Sequence, residues 1–275
     1  MRLSPWNLLT VQRCEEYGLS EEVVDMQGLV ILAGPSCVGK GPLIAAFKTF
    51  HPRLAAELEP LVLYNSRSPR PGERNGVDYH FRSRETIEHM GKRKDFHVFE
   101  VRGDLQGLDA GELKTTLRTK RLLFEGNPFV GEQLLSLATE EEISVTCAFL
   151  SPFCLEEIRF LSSPESGVNL QKFVTDVMRR KLLRRMQRQK GILSLPDLEE
   201  VERRAGSALK EICLAPRFGN VIPNHDGEDS EHWNAFPYPL GDARKALAAF
   251  TALLKGEESP FIERWDETLP LPLHS

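Results

Sequence analysis

Residues 28–41 read GLVILAGPSCVGKG, from Gly28 to Gly41, and this stretch decides the fold. An apolar run followed by the spacing G-x-x-x-x-G-K predicts a buried strand, a phosphate-binding loop and a helix. Glycines at 34 and 39 let the backbone bring its N–H groups close to phosphate oxygens, and Lys40 would place an ammonium on them. We expect a nucleotide polyphosphate site that consists of Gly34, Pro35, Ser36, Cys37, Val38, Gly39, Lys40 and Gly41. A glycine-rich turn after a buried strand is the alternative interpretation.

The composition is typical of a soluble globular protein, with 41% hydrophobic and 27% charged residues over 275 positions and a net charge of −5. No run approaches the ~18 apolar residues that a membrane span needs. The first six residues, MRLSPW, lack the apolar region of a secretory signal. Five scattered cysteines predict reduced thiols, and the seven histidines show no metal-ligand spacing. We expect a cytoplasmic protein that acts on neither membranes nor nucleic acid.

Apolar strand patterns alternate with helical patterns along the chain. The expected strands are Gly28–Ala33, 61–64, Phe96–Val101, 122–125, 143–150 and 218–222. The expected helices are 42–50, 84–92, Ala110–Leu117, 130–137, 153–161, 168–189, 198–214 and 243–254. This alternation predicts an α/β fold in which a parallel sheet is covered by helices on both faces.

One predicted helix, at 168–189, is strongly basic. Its basic residues, with the one that follows it, are Arg179, Arg180, Lys181, Arg184, Arg185, Arg188 and Lys190. Pro196 and Asp197 then suit the first turn of a second charged helix. Such a run is either a solvated helix face or a mobile arm that brings arginines over phosphate. The residues alone leave both interpretations open.

A second motif establishes a family resemblance. Residues 65–81 read NSRSPRPGERNGVDYHF, which resembles T-T-R-x-P-R-x-G-E-x-x-G-x-x-Y-x-F of the guanylate kinase family. Residues 100–107, EVRGDLQG, resemble that family's E-V-H-G-N-x-Y-G, and residues 221–224, VIPN, resemble its V-I-V-N strand. Residues 201–204 with Glu211 resemble its lid-side helix. The resemblance extends from residue 28 to about residue 226.

The resemblance implies a parallel P-loop sheet with a small acceptor-binding β subdomain and a helical lid. We expect an N-terminal extension at 1–27, the kinase-like domain at 28–256 and a loose C-terminal tail at 257–275. Within the domain, the acceptor part would lie at about 61–108 and the lid, enlarged by an insertion, at about 163–205. These boundaries follow the extent of the motifs.

The resemblance also implies chemistry and roles. The protein would be an ATP- and Mg²⁺-dependent phosphotransferase of the nucleoside-monophosphate kinase type that converts GMP to GDP, with nucleotides as its partners. Arg67, Arg70 and Tyr79 would hold the acceptor phosphate, a use that suits two guanidinium groups and a phenol. Lys40 and the lid arginine Arg204 would be catalytic. Two alternatives remain: Arg67 and Arg70 as surface arginines, and Arg203 as the lid arginine.

The sequence departs from the family pattern in the phosphate loop. Pro42 follows Gly41 where the family has a hydroxyl residue, so it offers neither an N–H nor a hydroxyl. Cys37 replaces a family glycine. The family's D-x-D pair becomes Glu125-Gly-Asn127, in which only Glu125 keeps a carboxylate for Mg²⁺ or its waters.

The residues that read guanine are also changed. Leu63 replaces a serine, Val98 or His97 a glutamate, Gln106 a tyrosine, and Leu108 a serine or threonine. Loss of buried polar partners can remove ~10⁴-fold selectivity, so another nucleotide or a phosphorylated sugar is an open acceptor. The alternative function is a catalytically degenerate module that binds ATP or a phosphorylated partner without turnover.

Overall fold

The structure is a computed structural model that describes residues 28–70, 72–266 and 269. The expected N-terminal extension, residues 1–27, lies outside the described residues, as do most residues beyond 266. Among the described helices, none is both long and apolar enough to span a membrane.

Nine strands and nine α-helices make up the described part of the chain. The strands are β1 Gly28–Ala33, β2 Leu58–Pro60, β3 Tyr64–Asn65, β4 His80–Phe81, β5 Phe96–Val101, β6 Asp104–Asp109, β7 Arg121–Gly126, β8 Val145–Ser151 and β9 Val221–Pro223. The helices are α1 Lys40–Phe50, α2 Pro52–Ala56, α3 Arg84–Met90, α4 Ala110–Leu117, α5 Pro128–Glu140, α6 Leu155–Ser162, α7 Leu170–Lys190, α8 Leu195–Ile212 and α9 Gly241–Lys255. Short 3-10 helices lie at Pro164–Ser166, Ala215–Phe218 and Glu231–Trp233.

The main sheet has the order β2-β7-β1-β8-β9, and all of its pairings are parallel. All six residues of β1 are buried because helices cover both faces of the sheet. Alternate side chains of the strand point to opposite faces, so Ile31 packs in one core cluster with Leu134. Leu32 packs in another with Phe47 and Phe250. The predicted α/β fold is confirmed.

A second sheet, in the order β4-β3-β6-β5, forms the small subdomain. The single strand predicted at 61–64 is wrong, because this run crosses between the two sheets. The N–H of Leu61 donates to Leu123 O in the main sheet at 2.8 Å, whereas Leu63 O accepts from His80 N–H of the small sheet at 2.8 Å. A short apolar segment that connects two sheets has the same composition as a buried strand. Composition therefore does not distinguish the two.

Helices α7 and α8 form the arm that the sequence predicted as a lid. Gly191 ends α7 with a φ of 75°, and Ser194 with Asp197 caps the start of α8. The buried side chains of both helices, among them Met178 and Ala205, join the main core cluster. The arm is therefore packed on the body of the protein along its inner face.

The C-terminal segment is packed, so the expectation of a loose tail is wrong for its described part. Val221 and Glu263 exchange two backbone hydrogen bonds, of 2.9 and 2.8 Å. Trp265 is 4% exposed, and its indole N–H donates to the Glu263 carboxylate at 2.8 Å. The same carboxylate accepts from the N–H of Leu155 at 2.8 Å. The domain boundary at 256 stays a prediction.

The docking of this segment leads to a stability prediction. Trp265→Ala should lower the free energy of unfolding by about 3 kcal/mol, because it removes a buried indole and leaves a cavity. Phe261→Ala is the matched control, since Phe261 is 38% exposed, and it should change that free energy by less than about 0.5 kcal/mol. Urea unfolding at neutral pH measures both. Equal effects of the two variants would contradict the packing.

Candidate active site

The phosphate loop turns sharply between β1 and α1, and two glycines permit the turn. A Cβ at Gly34 would lie 2.4 Å from Leu150 O, and one at Gly39, which has a φ of 103°, would lie 2.6 Å from Asn224 Nδ2. That amide is itself buried and donates to Val38 O at 2.7 Å. Both glycines are thus required by the backbone and side chains against which the loop is seated.

Lys40 closes the loop on itself. Its ammonium donates to Gly34 O at 2.8 Å and to Pro35 O at 2.9 Å. Burial lowers the pKa of Lys40, and the carboxylates of Glu125 and Glu228 oppose that shift. The ammonium therefore lies at the mouth of the loop, with two carboxylates nearby.

The predicted lid arginine reaches the phosphate loop. Arg204, in α8, is 8% exposed, and its Nε donates to Ser36 Oγ at 3.0 Å. Burial, together with repulsion from Arg70, lowers the pKa of Arg204 to about 10, so the side chain is charged at neutral pH. Its neighbour Arg203 is instead an exposed residue that pairs with Glu200.

The two predicted acceptor arginines differ in their surroundings. Arg67 forms a two-pronged pair with Glu73, with N–O distances of 2.6 and 2.7 Å, and its guanidinium lies 5.2 Å from the ring centre of Tyr79. Arg70 makes a single, longer contact of 3.3 Å with Glu200 of α8. Burial raises the pKa of Tyr79, and Arg67 opposes that shift. Arg67 is thus held in place by a carboxylate, whereas Arg70 is available for a ligand.

One cleft of about 200 Å³ contains the two sets of predicted residues. The sequence-predicted residues that line it are Gly34, Ser36, Cys37, Lys40, Gly41, Arg67, Arg70, Tyr79, Glu125 and Arg204. Pro35, Val38 and Gly39 are buried in the phosphate loop and do not line the cleft. The structure therefore brings the phosphate loop, the arginine pair and the lid arginine to one place.

Five further charged residues line the cleft and were not predicted as site residues: Arg102, Asp104, Arg185, Glu200 and Glu228. Arg203, the alternative lid arginine, lines it as well. Arg185 belongs to the basic helix. The run of basic residues in the sequence pointed to that helix but did not single out Arg185. Glu228 belongs to no recognisable sequence motif. It lies in the loop after β9, which contacts the phosphate loop, and its N–H donates to Cys37 O at 3.0 Å. Its carboxylate lies 3.1 Å from Arg185.

Cys37 lies inside this charged setting but is not activated by it. The residue is 2% exposed, and burial raises the pKa of its thiol, as does Glu228. Arg185 lies 3.8 Å from the sulfur and acts in the opposite direction. The thiol therefore remains protonated at neutral pH and packs as a small apolar group.

Glu125 is the carboxylate that the sequence predicts for Mg²⁺. Glu125 lines the cleft and forms no salt bridge with another described residue, and loss of water around it raises its pKa while Lys40 opposes the rise. Asn127 points its Oδ1 at the N–H of Phe129 at 2.9 Å, so that oxygen caps α5. Its Nδ2 is buried without a partner in the described part of the chain and would repel a cation. No group of three or more acidic, histidine or cysteine side chains surrounds a cation site within the described ranges. Of the two positions that the motif relates to Mg²⁺, only Glu125 presents a carboxylate to the cleft.

The wall beside the acceptor end combines apolar residues of β5 and β6 with the polar residues Asn65, Asp104 and Gln106, which line the cleft. β5 pairs with β6 so that His97 lies opposite Leu108, and Val98 opposite Gly107. Because side chains alternate, His97 shares a face with Val101, which lines the cleft, whereas Val98 packs against Gly91 on the other face. His97, and not Val98, thus shares the face of the small sheet that is turned towards the cleft. Leu108 is 2% exposed and offers no polar atom of its side chain to a base.

The chain is similar to guanylate kinases in sequence and in fold. A family model described as guanylate kinase matches residues 26–118. The guanylate kinase of Nostoc sp. is 30% identical over 155 residues, which cover 55% of this chain and 71% of that one. The guanylate kinase of Pseudomonas fluorescens is 41% identical over 90 residues, so the match spans 32% of this chain and only 42% of that relative. The crystal structure of guanylate kinase from Anaplasma phagocytophilum has a TM-score of 0.50 at 16% identity and covers 86% of this chain and 88% of that one.

Proposed function

The chain belongs to the guanylate kinase family, and we propose that it is a phosphotransferase that moves the γ-phosphoryl group of ATP to a nucleoside monophosphate, with GMP as the expected acceptor. One observation carries the proposal: the phosphate loop with Lys40, the arginine pair Arg67 and Arg70, and the buried Arg204 line a single cleft. Phosphoryl transfer asks mainly for positioning and charge neutralisation, and these are what such a cleft provides.

The donor half would be the loop from residue 34 to residue 41. Its backbone N–H groups and the positive end of α1 would hold the phosphates of ATP, and Lys40 would exchange its contacts with Gly34 O and Pro35 O for phosphate oxygens. A second cavity of about 230 Å³ between α7 and the loop after β9 adjoins this site and has room for the nucleoside of ATP. Lys181 and His225 are among its lining residues.

The acceptor half would be the arginine pair. Arg70 would give up its 3.3 Å contact with Glu200 for the acceptor phosphate, while Glu73 keeps Arg67 oriented. Arg204 would neutralise the charge that develops on the transferred group, because it is the guanidinium that lies against Ser36 of the phosphate loop. The α7–α8 arm, which is packed against the body of the protein, would exclude water from the reaction.

Mg²⁺ fits this site through Glu125. The ion would supply neutralisation of the ATP phosphates, and Glu125 would hold its water shell at the carboxyl end of β7. Neither Asn127 nor the Gly41-Pro42 pair adds a ligand, so we expect a weaker dependence on the identity of the divalent ion than a full carboxylate pair would give.

The second candidate is a module that binds ATP or a phosphorylated partner without turnover. Two observations favour it: Pro42 has no N–H for a phosphate, and the Nδ2 of Asn127 faces a place where a carboxylate would serve a cation. The placement of Lys40 and Arg204 in one cleft favours catalysis instead.

One experiment separates the two functions. ADP formation from ATP is measured with GMP, AMP, CMP, UMP and ribose 5-phosphate, with and without Mg²⁺. We expect Mg²⁺-dependent ADP formation with GMP and a discrimination between purine monophosphates well below the ~10⁴-fold that a polar base pocket can reach. If no acceptor yields ADP while ATP still raises the melting temperature, the binding function replaces the kinase.

A further inference from the structure

Arg102 occupies the turn between β5 and β6 in a left-handed conformation, with a φ of 55°. A long side chain adopts this backbone conformation rarely, and it does so where surrounding contacts hold it. The family pattern quoted above has a histidine here. The Arg102 side chain is 15% exposed and leaves the small sheet to reach α8.

The contacts of Arg102 all lie on that helix. Its Nε donates to Ser207 Oγ and to Glu211 Oε1, each at 3.1 Å, and an Nη also donates to Glu211. Ser207 Oγ lies 2.7 Å from the same carboxylate oxygen and 3.1 Å from the backbone oxygen of Arg204. A polar connection thus runs from the turn, through α8, to the backbone of Arg204.

Glu211 needs this partner. Its side chain is 0% exposed, and its Oε2 has no hydrogen-bond partner in the described part of the chain. A buried carboxylate that loses its counterion is strongly destabilising. Since residues seven apart lie two turns along the same helix face, Glu211 and Arg204 project on one side of α8.

Building on the proposed function, we propose that Arg102 is a positioning residue that holds Arg204 against the phosphate loop by way of Glu211. Arg204 is surrounded by like charges, because Arg70, Arg102 and Arg185 all repel it. Its 3.0 Å hydrogen bond to Ser36 therefore persists only where the backbone of α8 is fixed. The Arg102–Glu211 pair fixes it and joins the acceptor subdomain to the lid helix.

The kinetic test compares Arg102→Ala with Arg102→Lys. Misplacing a catalytic group by about 1 Å can cost ~100-fold, so we expect Arg102→Ala to lower kcat about 10- to 100-fold and to change KM for GMP less than about 3-fold. Arg102→Lys keeps the charge beside Glu211 and should recover part of kcat. Arg93→Ala, which removes an exposed arginine of the same subdomain paired with Asp95 and Asp109, should leave both constants unchanged. A raised KM with an unchanged kcat would mean that Arg102 contacts the acceptor directly and would overturn the proposal.

A second measurement does not depend on turnover. Hydrogen exchange of the amides of α8 should be faster in Arg102→Ala than in the wild type, and the double variant Arg102→Ala/Glu211→Gln, which removes the buried charge, should recover part of the melting temperature. Unchanged exchange in α8 would overturn the positioning role. Absence of ADP formation by the wild type with every acceptor would instead remove the proposed function. The hydrogen-exchange comparison would still show whether Arg102 fixes α8 through Glu211.

Discussion

Lys40→Ala is expected to abolish the stabilisation of this protein by ATP. A charged hydrogen-bonding group of this kind contributes up to about 3 kcal/mol, so ATP should bind about 100-fold more weakly. At an ATP concentration ten times the wild-type Kd, the ligand adds about 1.4 kcal/mol to the stability of the wild type and under about 0.1 kcal/mol to that of the variant. Thermal unfolding with and without ATP measures the difference.

The control for this prediction is Lys210→Ala, which removes an exposed lysine of α8. It has the same change of charge, so it should retain the full ATP-dependent shift in melting temperature. The variant at position 40 should also fold, because its ammonium contacts only backbone oxygens of its own loop in the described structure. An equal ATP shift in wild type and Lys40→Ala would show that the loop does not bind nucleotide.

Arg204→Ala is expected to reduce kcat by about 10³-fold, the scale of an arginine that stabilises a transferring phosphoryl group. ATP binding should weaken much less, because Lys40 and the loop backbone remain. The buried position of Arg204 and its contact with Ser36 single it out from Arg203, whose side chain is 51% exposed. Steady-state kinetics with GMP and ATP measures the loss.

Arg203→Ala is the matched comparison, because it removes the same chemical group one position earlier in the same helix. We expect it to change kcat by less than about 10-fold, because Arg203 lines the cleft with a half-exposed side chain that pairs with Glu200 and not with the phosphate loop. A larger loss from Arg203→Ala than from Arg204→Ala would exchange the roles of the two residues. It would then be Arg203 that moves over the phosphate when the arm closes.

The main sheet and the phosphate loop could be predicted because local sequence determines both. β1 is bounded as predicted, and Ala110–Leu117 is helical over the predicted residues. Few backbone conformations suit this glycine pattern after a buried strand. One stretch of sequence therefore predicts the turn, the position of Lys40 and the helix that follows. The same holds for the arginine motif, whose residues do line the cleft.

What sequence could not provide is the set of contacts between distant segments. The pairing of Arg67 with Glu73 distinguishes it from Arg70, although the motif presents the two arginines alike. Glu228 and Arg102 reach the cleft through a loop and a turn that have no phosphate-binding pattern of their own. Prolines in the C-terminal segment favour a loose tail, whereas its packing comes from contacts of Glu263 with β9 and with the first residue of α6.

The crossing at residues 61–63 has a consequence for how this protein can change. The whole small sheet, residues 64–109, leaves the main sheet once and returns once, directly into α4. Substitutions within that excursion therefore leave every backbone hydrogen bond of the ATP-side sheet unaltered. Apart from the contacts of Arg102 with α8, the small sheet can therefore change in sequence while the phosphate loop and the main sheet stay the same.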